Sequence, residues 1–250
     1  MKPHVSYSEL KIWNECAFRH KLEYIDKLNP FTSSEHTAFG TAVHSVCENS
    51  LKDSNLDKYE HFTQEFDKEV AKLKIVDLKL VEQMREQARP ILDLFLSALT
   101  EYFGEFELVE TEEDLFERFE DDVSFKGFID LIIKDKEGKY HIIDWKTCGW
   151  GWEPKKKSDK MVTYQLTLYK WFWAAKHNID LKDIETHFGL LKRTAKKDQV
   201  ELFRVTSGDK KIQNALELLD KMVKNVRKEK FIKNRLSCDY CPFKKTEHCR

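Results

Sequence analysis

The stretch Val123–Cys148, VSFKGFIDLIIKDKEGKYHIIDWKTC, decides how the chain is read. Two runs rich in Val, Ile and Phe flank KDKEGK, whose Gly138 suits a tight turn, so the pattern predicts an antiparallel hairpin. Each arm carries an aspartate among apolar residues, Asp130 in GFIDLI and Asp144 in HIIDWKT. Asp144 and Lys146 are two apart and share one side of their strand. Buried charges are paired or functional. A carboxylate from each arm can converge across the hairpin, and two such groups repel unless a positive charge lies between them. An oxygen-loving divalent cation, Mg²⁺ or Mn²⁺, meets that need. Lys146 beside it would orient or deprotonate a water, which is equipment for hydrolysing a phosphodiester. The plainer reading of Asp144 and Lys146 is a structural pair at a strand end.

Upstream, SYSEL has the Ser-x-x-Glu form of a capping box, Ser6 to Glu9, and predicts a helix running through Cys16 to about Leu22. HTAFGTAVHSVCENSL places Phe39, Val43, Val46, Cys47 and Leu51 at helical spacing, so His44 lies inside a second helix. Residues 53–103 read as a charged helical insertion, expected to be interrupted at Pro90. The strand FELVETEEDLFERF precedes the hairpin, with Glu112, Glu113 and Asp114 read as a solvated turn and Glu110 as a weak further acid. After the hairpin come a Trp/Gly/Lys-rich loop, the helix MVTYQLTLYKWFWAAKH, two strands and a last helix. The order predicts one α/β domain over 1–250: a mixed central β-sheet flanked by helices, with the sheet core in 104–206, a helical N-terminal insertion and a cysteine-rich C-terminal tail in 231–250.

The 43 basic and 44 acidic residues leave a formal net charge of -1, so attraction to nucleic acid must be local. No apolar run reaches about 18 residues and no secretory signal opens the chain, which predicts an intracellular, cytoplasmic protein that stays off membranes. In that setting six cysteines read as metal ligands or buried thiols rather than disulfides. CDYCPFKKTEHCR puts Cys238, Cys241 and Cys249 within twelve residues, a spacing that calls for a metal and a fourth ligand. Zinc completed by His248 or Cys16 is one reading, an iron–sulfur cluster the other. Cys47 reads as core, and Cys148 has no assigned role.

Taken in order, FGTAVH with His44, GFIDLI with Asp130, IIDWKT with Asp144 and Lys146, and QLTLY with Gln165 and Tyr169 resemble the PD-(D/E)xK nuclease superfamily. They are most similar to its RecB-like exonuclease branch, which includes the four-cysteine CRISPR-associated nucleases. The resemblance implies a restriction-endonuclease-like core and a metal-dependent DNA exonuclease. It implies that His44, Asp130, Asp144 and the Trp145 carbonyl hold Mn²⁺ or Mg²⁺, and that Gln165 and Tyr169 position the strand. It further implies a [4Fe–4S] cluster held by Cys16, Cys238, Cys241 and Cys249, single-stranded DNA as substrate with 5′ to 3′ polarity, and a helicase, recombinase or integrase as partner. A different class also fits: a non-catalytic or partner-activated subunit that holds DNA ends. A zinc-tailed DNA-binding protein is the third. Trp150, Trp152, Lys155, Lys156, Lys157 and Lys160, together with Lys192, Arg193, Lys196 and Lys197, offer indoles for stacking and cations for phosphates. Either run equally suits a solvated loop.

Overall fold

The computed structural model describes residues 3–28, 33–120 and 122–250. The hairpin forms from β3 (Val123–Asp135) and β4 (Tyr140–Cys148), antiparallel from Leu131–Ile143 to Lys134–Tyr140. Its turn is closed by the Asp135 carboxylate, which accepts the amides of Glu137 and Lys139 at 2.9 Å each, while Gly138 takes φ +86°.

β2 (Phe106–Glu120) covers one edge of β3 along most of its length. The other edge is shared. β4 pairs with residues 131–134, and β1 (His4–Ser6) runs parallel to residues 124–126. Between them, residues 127–130 of β3 have no strand partner on that edge among the described residues. β5 (Ile184–Lys192) lies parallel to β4, and β6 (Val200–Val205) closes the six-stranded mixed sheet antiparallel to β5.

Both faces of the sheet are covered, which is why the arms read as nearly continuous apolar runs. One core joins Phe125, Ile129, Ile132 and Ile142 to α1 (Tyr7–Glu15), α7 (Lys160–His177) and α8 (Asp209–Arg227). The other joins Leu131, Ile133, Ile143 and Trp145 to α3 (Glu35–Lys52), α4 (Lys58–Val70) and α5 (Leu78–Phe103), through side chains such as Phe39, Phe62, Met84 and Phe95. No helix among the described residues is long and apolar enough to cross a membrane.

Five local expectations change. α5 continues through Pro90, because Met84, Ala88, Ile91, Leu92 and Phe95 on both sides of it are buried in one core, and that packing outweighs the lost backbone bond. The first helix stops at Cys16, whose backbone is extended at φ -161°, before α2 (Ala17–His20) and a π-turn over Lys21–Ile25. Glu112–Asp114 belong to β2 rather than to a turn, with Glu112 at φ +53°. β1 is three residues long, too short to show a period, and α6 (Pro154–Lys157) forms inside the expected loop.

Gly189 on β5 is registered against Trp145, and any Cβ there would run into the buried indole. Neither strand can retreat within the sheet. Gly189→Ala is therefore expected to destabilise the fold by about 2 kcal/mol or more, a Tm loss on the order of 5 °C in thermal unfolding.

Candidate active site

The unpaired stretch of β3 is where the site forms. β4 leaves the ladder after Ile143, and the Trp145 amide, free of a strand partner on that side, donates to Asp130 Oδ2 at 2.7 Å. Extended residues project N–H and C=O from the same edge, so the Trp145 carbonyl faces this gap as well. From α3, His44 Nδ1 reaches to 3.7 Å from Asp130 Oδ2. From α7, Gln165 Nε2 donates to Asp144 Oδ1 at 2.8 Å and to the Tyr169 hydroxyl at 3.2 Å. Lys146 Nζ stands 2.5 Å from Asp144 Oδ2 as an ion pair. Gly127 leaves room for Tyr169, whose ring a Cβ would meet at 2.7 Å. The sequence-derived residues from four separate elements thus surround one gap.

Burial governs the electrostatics. It raises both Asp130 and Asp144 to about 6, against the pull of Lys146. Burial lowers His44 to about 4, so its imidazole is neutral with a lone pair to offer. Burial also works to lower Lys146, but the carboxylates of Asp144 and Asp130 outweigh it and hold the ammonium above its ordinary value. An imidazole nitrogen and two poorly solvated carboxylates are a donor set that a divalent cation satisfies.

Two acids escaped the sequence reading. Glu48 follows His44 by one helical turn, and burial, then Glu112 and Asp130, raise it to about 8. Glu112 lies on β2 between the residues paired with Ile129 and Leu131, and its carboxyl bonds that of Glu48. The i,i+4 spacing from His44 is the signal that could have found Glu48. Glu110 is exposed, its carboxylate accepting the Thr111 amide at 3.0 Å. Tyr7, whose hydroxyl donates to the Met161 carbonyl at 2.7 Å, is raised by burial and then by Asp144, so it too borders the site.

At the far end of α1, Cys16, Cys238, Cys241 and Cys249 line one cavity of about 380 Å³. The extended backbone at Cys16 turns its sulfur to the tail, where it accepts the Asn234 amide at 3.4 Å. His248 does not line that cavity; it lies 3.5 Å from Glu247.

The two basic loops meet, because Arg193 and Thr194 donate their amides to the carbonyls of Cys148 and Gly149. Their members differ in fate. Trp152 packs on Phe188 and Phe203, Lys157 and Lys192 pair with Glu201, and Arg193 binds Gln87. Trp150, Lys155, Lys156, Lys160, Lys196 and Lys197 stay exposed.

The shifts give the site a pH signature. Asp130, Asp144 and Glu48 have raised folded pKa values, so the stability they lend is present at low pH and lost as pH rises through about 6 to 8. His44, lowered to about 4, acts oppositely, costing stability as pH falls below its ordinary value. A bound cation would compensate the deprotonated carboxylates. The Tm gain on adding Mn²⁺ is expected to grow between about pH 5 and pH 8, and to flatten in Asp130→Asn. A gain that ignores both pH and this substitution would contradict the assignment.

Residues 4–247 match the PD-(D/E)XK nuclease superfamily. No curated protein matches the chain in sequence. Among solved structures, a "Putative exonuclease" from Eubacterium rectale superposes with a TM-score of 0.60 at 15% identity, covering 95% of this chain and 86% of that one, a likeness of fold. The crystal structure of SSO0001 is also 15% identical, over 98% of this chain and 85% of that one, with a TM-score of 0.47. With nearly its whole length matched, and with Asp130, Asp144 and Lys146 gathered at the gap between two strands of a mixed sheet, the chain belongs to the PD-(D/E)XK nuclease superfamily.

Proposed function

We propose that this nuclease is a divalent-metal-dependent DNA exonuclease of the RecB-like kind, acting on single strands with 5′ to 3′ polarity and carrying a structural [4Fe–4S] cluster. The observation that carries the catalytic part is the gap where the Trp145 amide holds Asp130 beside Asp144, Lys146 and a neutral His44. His44, Asp130, Asp144 and the Trp145 carbonyl would hold Mn²⁺ or Mg²⁺. When bound, the ion polarises the phosphoryl oxygen and acidifies the attacking water.

The protein's own groups do the rest. Lys146, held as an ammonium, is an electrostatic partner for charge developing on the phosphoryl oxygens and orients the water rather than deprotonating it. Gln165 fixes Asp144 and gives its second hydrogen to Tyr169. Burial and then Asp144 hold the Tyr169 hydroxyl above its ordinary value, so it keeps its own proton to donate to a backbone phosphate. Trp150 and the exposed lysines of the two joined loops suit a single strand entering past β4.

For the tail, a thiolate set lining one cavity fits a cluster. Arg19, Lys233, Arg235, Lys244, Lys245 and Arg250 line the same cavity and would offset its negative charge. The Asn234 amide on Cys16 supplies the hydrogen bond to sulfur that such sites use. The cluster would join the first helix to the last segment. A helicase, recombinase or integrase would be its partner.

Two experiments test it. With Mn²⁺, end-labelled single-stranded DNA is expected to shorten stepwise from its 5′ end, and Lys146→Ala to lower the rate by about 10²-fold or more. Intact DNA under wild-type protein would move the reading to a partner-activated or DNA-holding subunit. Protein purified without oxygen is expected to be brown, and Cys16→Ser to lose iron; a colourless zinc protein would reject the cluster.

A further inference from the structure

A second constellation lies at the start of β4, on the face opposite Asp144. His141 alternates with Ile143 and Trp145 toward α5, about 10 Å along the strand from Asp144. Parallel pairing sets His141 beside Glu185 and Ile143 beside His187. His141 Nδ1 is 3.1 Å from His187 Nε2, and Glu185 Oε2 is 4.0 Å from that same nitrogen. All three donor atoms lie within 4.8 Å of one another. Both imidazoles are buried, at 6% and 2% exposure, and His187 Nδ1 has no hydrogen-bond partner among the described residues.

A shared hydrogen bond would explain the two imidazoles alone. It leaves out the Glu185 oxygen 4.0 Å from His187, and what stands behind His141. Asp135 Oδ2 is 2.9 Å from His141 Nε2, so the ring is oriented by a carboxylate on one nitrogen and presents the other to the cluster. That is the arrangement of a metal-ligating histidine with its outer carboxylate. Glu185 is fixed by cations, its Oε1 bound by Arg204 at 2.9 Å with Lys139 3.6 Å away, which leaves Oε2 toward His187. Ligands about 2.0–2.1 Å from a tetrahedral ion stand about 3.3 Å apart, close to the separation of the two nitrogens. The donors sit on two adjacent strands of the sheet, and Phe103 packs on both rings, so the geometry is held rigidly.

We propose that His141, His187 and Glu185 form a zinc site separate from the Asp144–Lys146 centre, with solvent as the remaining ligand and Asp135 as a positioning residue. Two imidazoles and one carboxylate suit zinc rather than Mg²⁺. The ion would tie β4 to β5 just before the strand delivers Asp144.

The test dialyses the full protein against zinc chloride with excess Mg²⁺, then combines elemental analysis, zinc X-ray absorption and thermal unfolding. Wild type is expected to retain one zinc per chain with nitrogen and oxygen neighbours and a raised Tm. His187→Gln should lose it, and Glu185→Gln, on a half-buried side chain, and Asp135→Asn should weaken binding about 10- to 100-fold. Sulfur neighbours around the zinc, or retention undiminished in Glu185→Gln and His187→Gln, would overturn the site.

Discussion

The hydrogen bond from the Trp145 amide to Asp130 is the interaction on which the arrangement turns. A β-strand edge left unpaired inside a protein exposes donors that must be satisfied. Here β3 cannot pair along its whole inner edge, since β1 and β4 occupy only its two ends. The carboxylate between them takes over one ladder position. The same bond fixes Asp130, anchors the turn of β4 away from the ladder and directs the Trp145 carbonyl into the gap. Helices on both faces then reach it, α3 with His44 and α7 with Gln165 and Tyr169.

The gap is costly to build. Carboxylates at Asp130 and Asp144 are pushed toward neutrality, and His44 is kept uncharged, by burial that would otherwise favour apolar side chains. Lys146 offsets part of that cost. Sites that hold cations are expected to look this way, with donors fixed in advance and stability given up locally. Packing elsewhere compensates: Trp145 and Phe188 are fully or almost fully buried within the strands that frame the site.

The first helix shows a related compromise. Continuing it past Glu15 would have kept regular backbone bonds, yet the chain extends at Cys16 and sends the sulfur toward Cys238, Cys241 and Cys249. Periodicity favours the longer helix, because the residues after the break remain helical in pattern. The tail meets the break, with the Asn234 side-chain amide donating to the Glu15 carbonyl and the Phe18 amide donating to the Ile232 carbonyl.

The hairpin, His44 and the Gln165–Tyr169 face were legible in the sequence because local pattern determines them: apolar runs around a glycine turn, and residues three or four apart on a helix. The mixed sheet was legible as a class from the order of its elements. Tertiary structure decided what sequence distance conceals. Glu48 and Glu112 join the site because β2 lies along β3 and α3 lies over the gap. Trp152, Lys157 and Lys192 leave the expected binding run because Phe188 and Glu201 on neighbouring strands claim them. Pro90 stays helical because a core on both sides of it outweighs one missing bond. Sequence periodicity reports which face of an element seeks burial; which partner meets that face, and which charges are then left without water, is settled only when the strands pair and the helices pack.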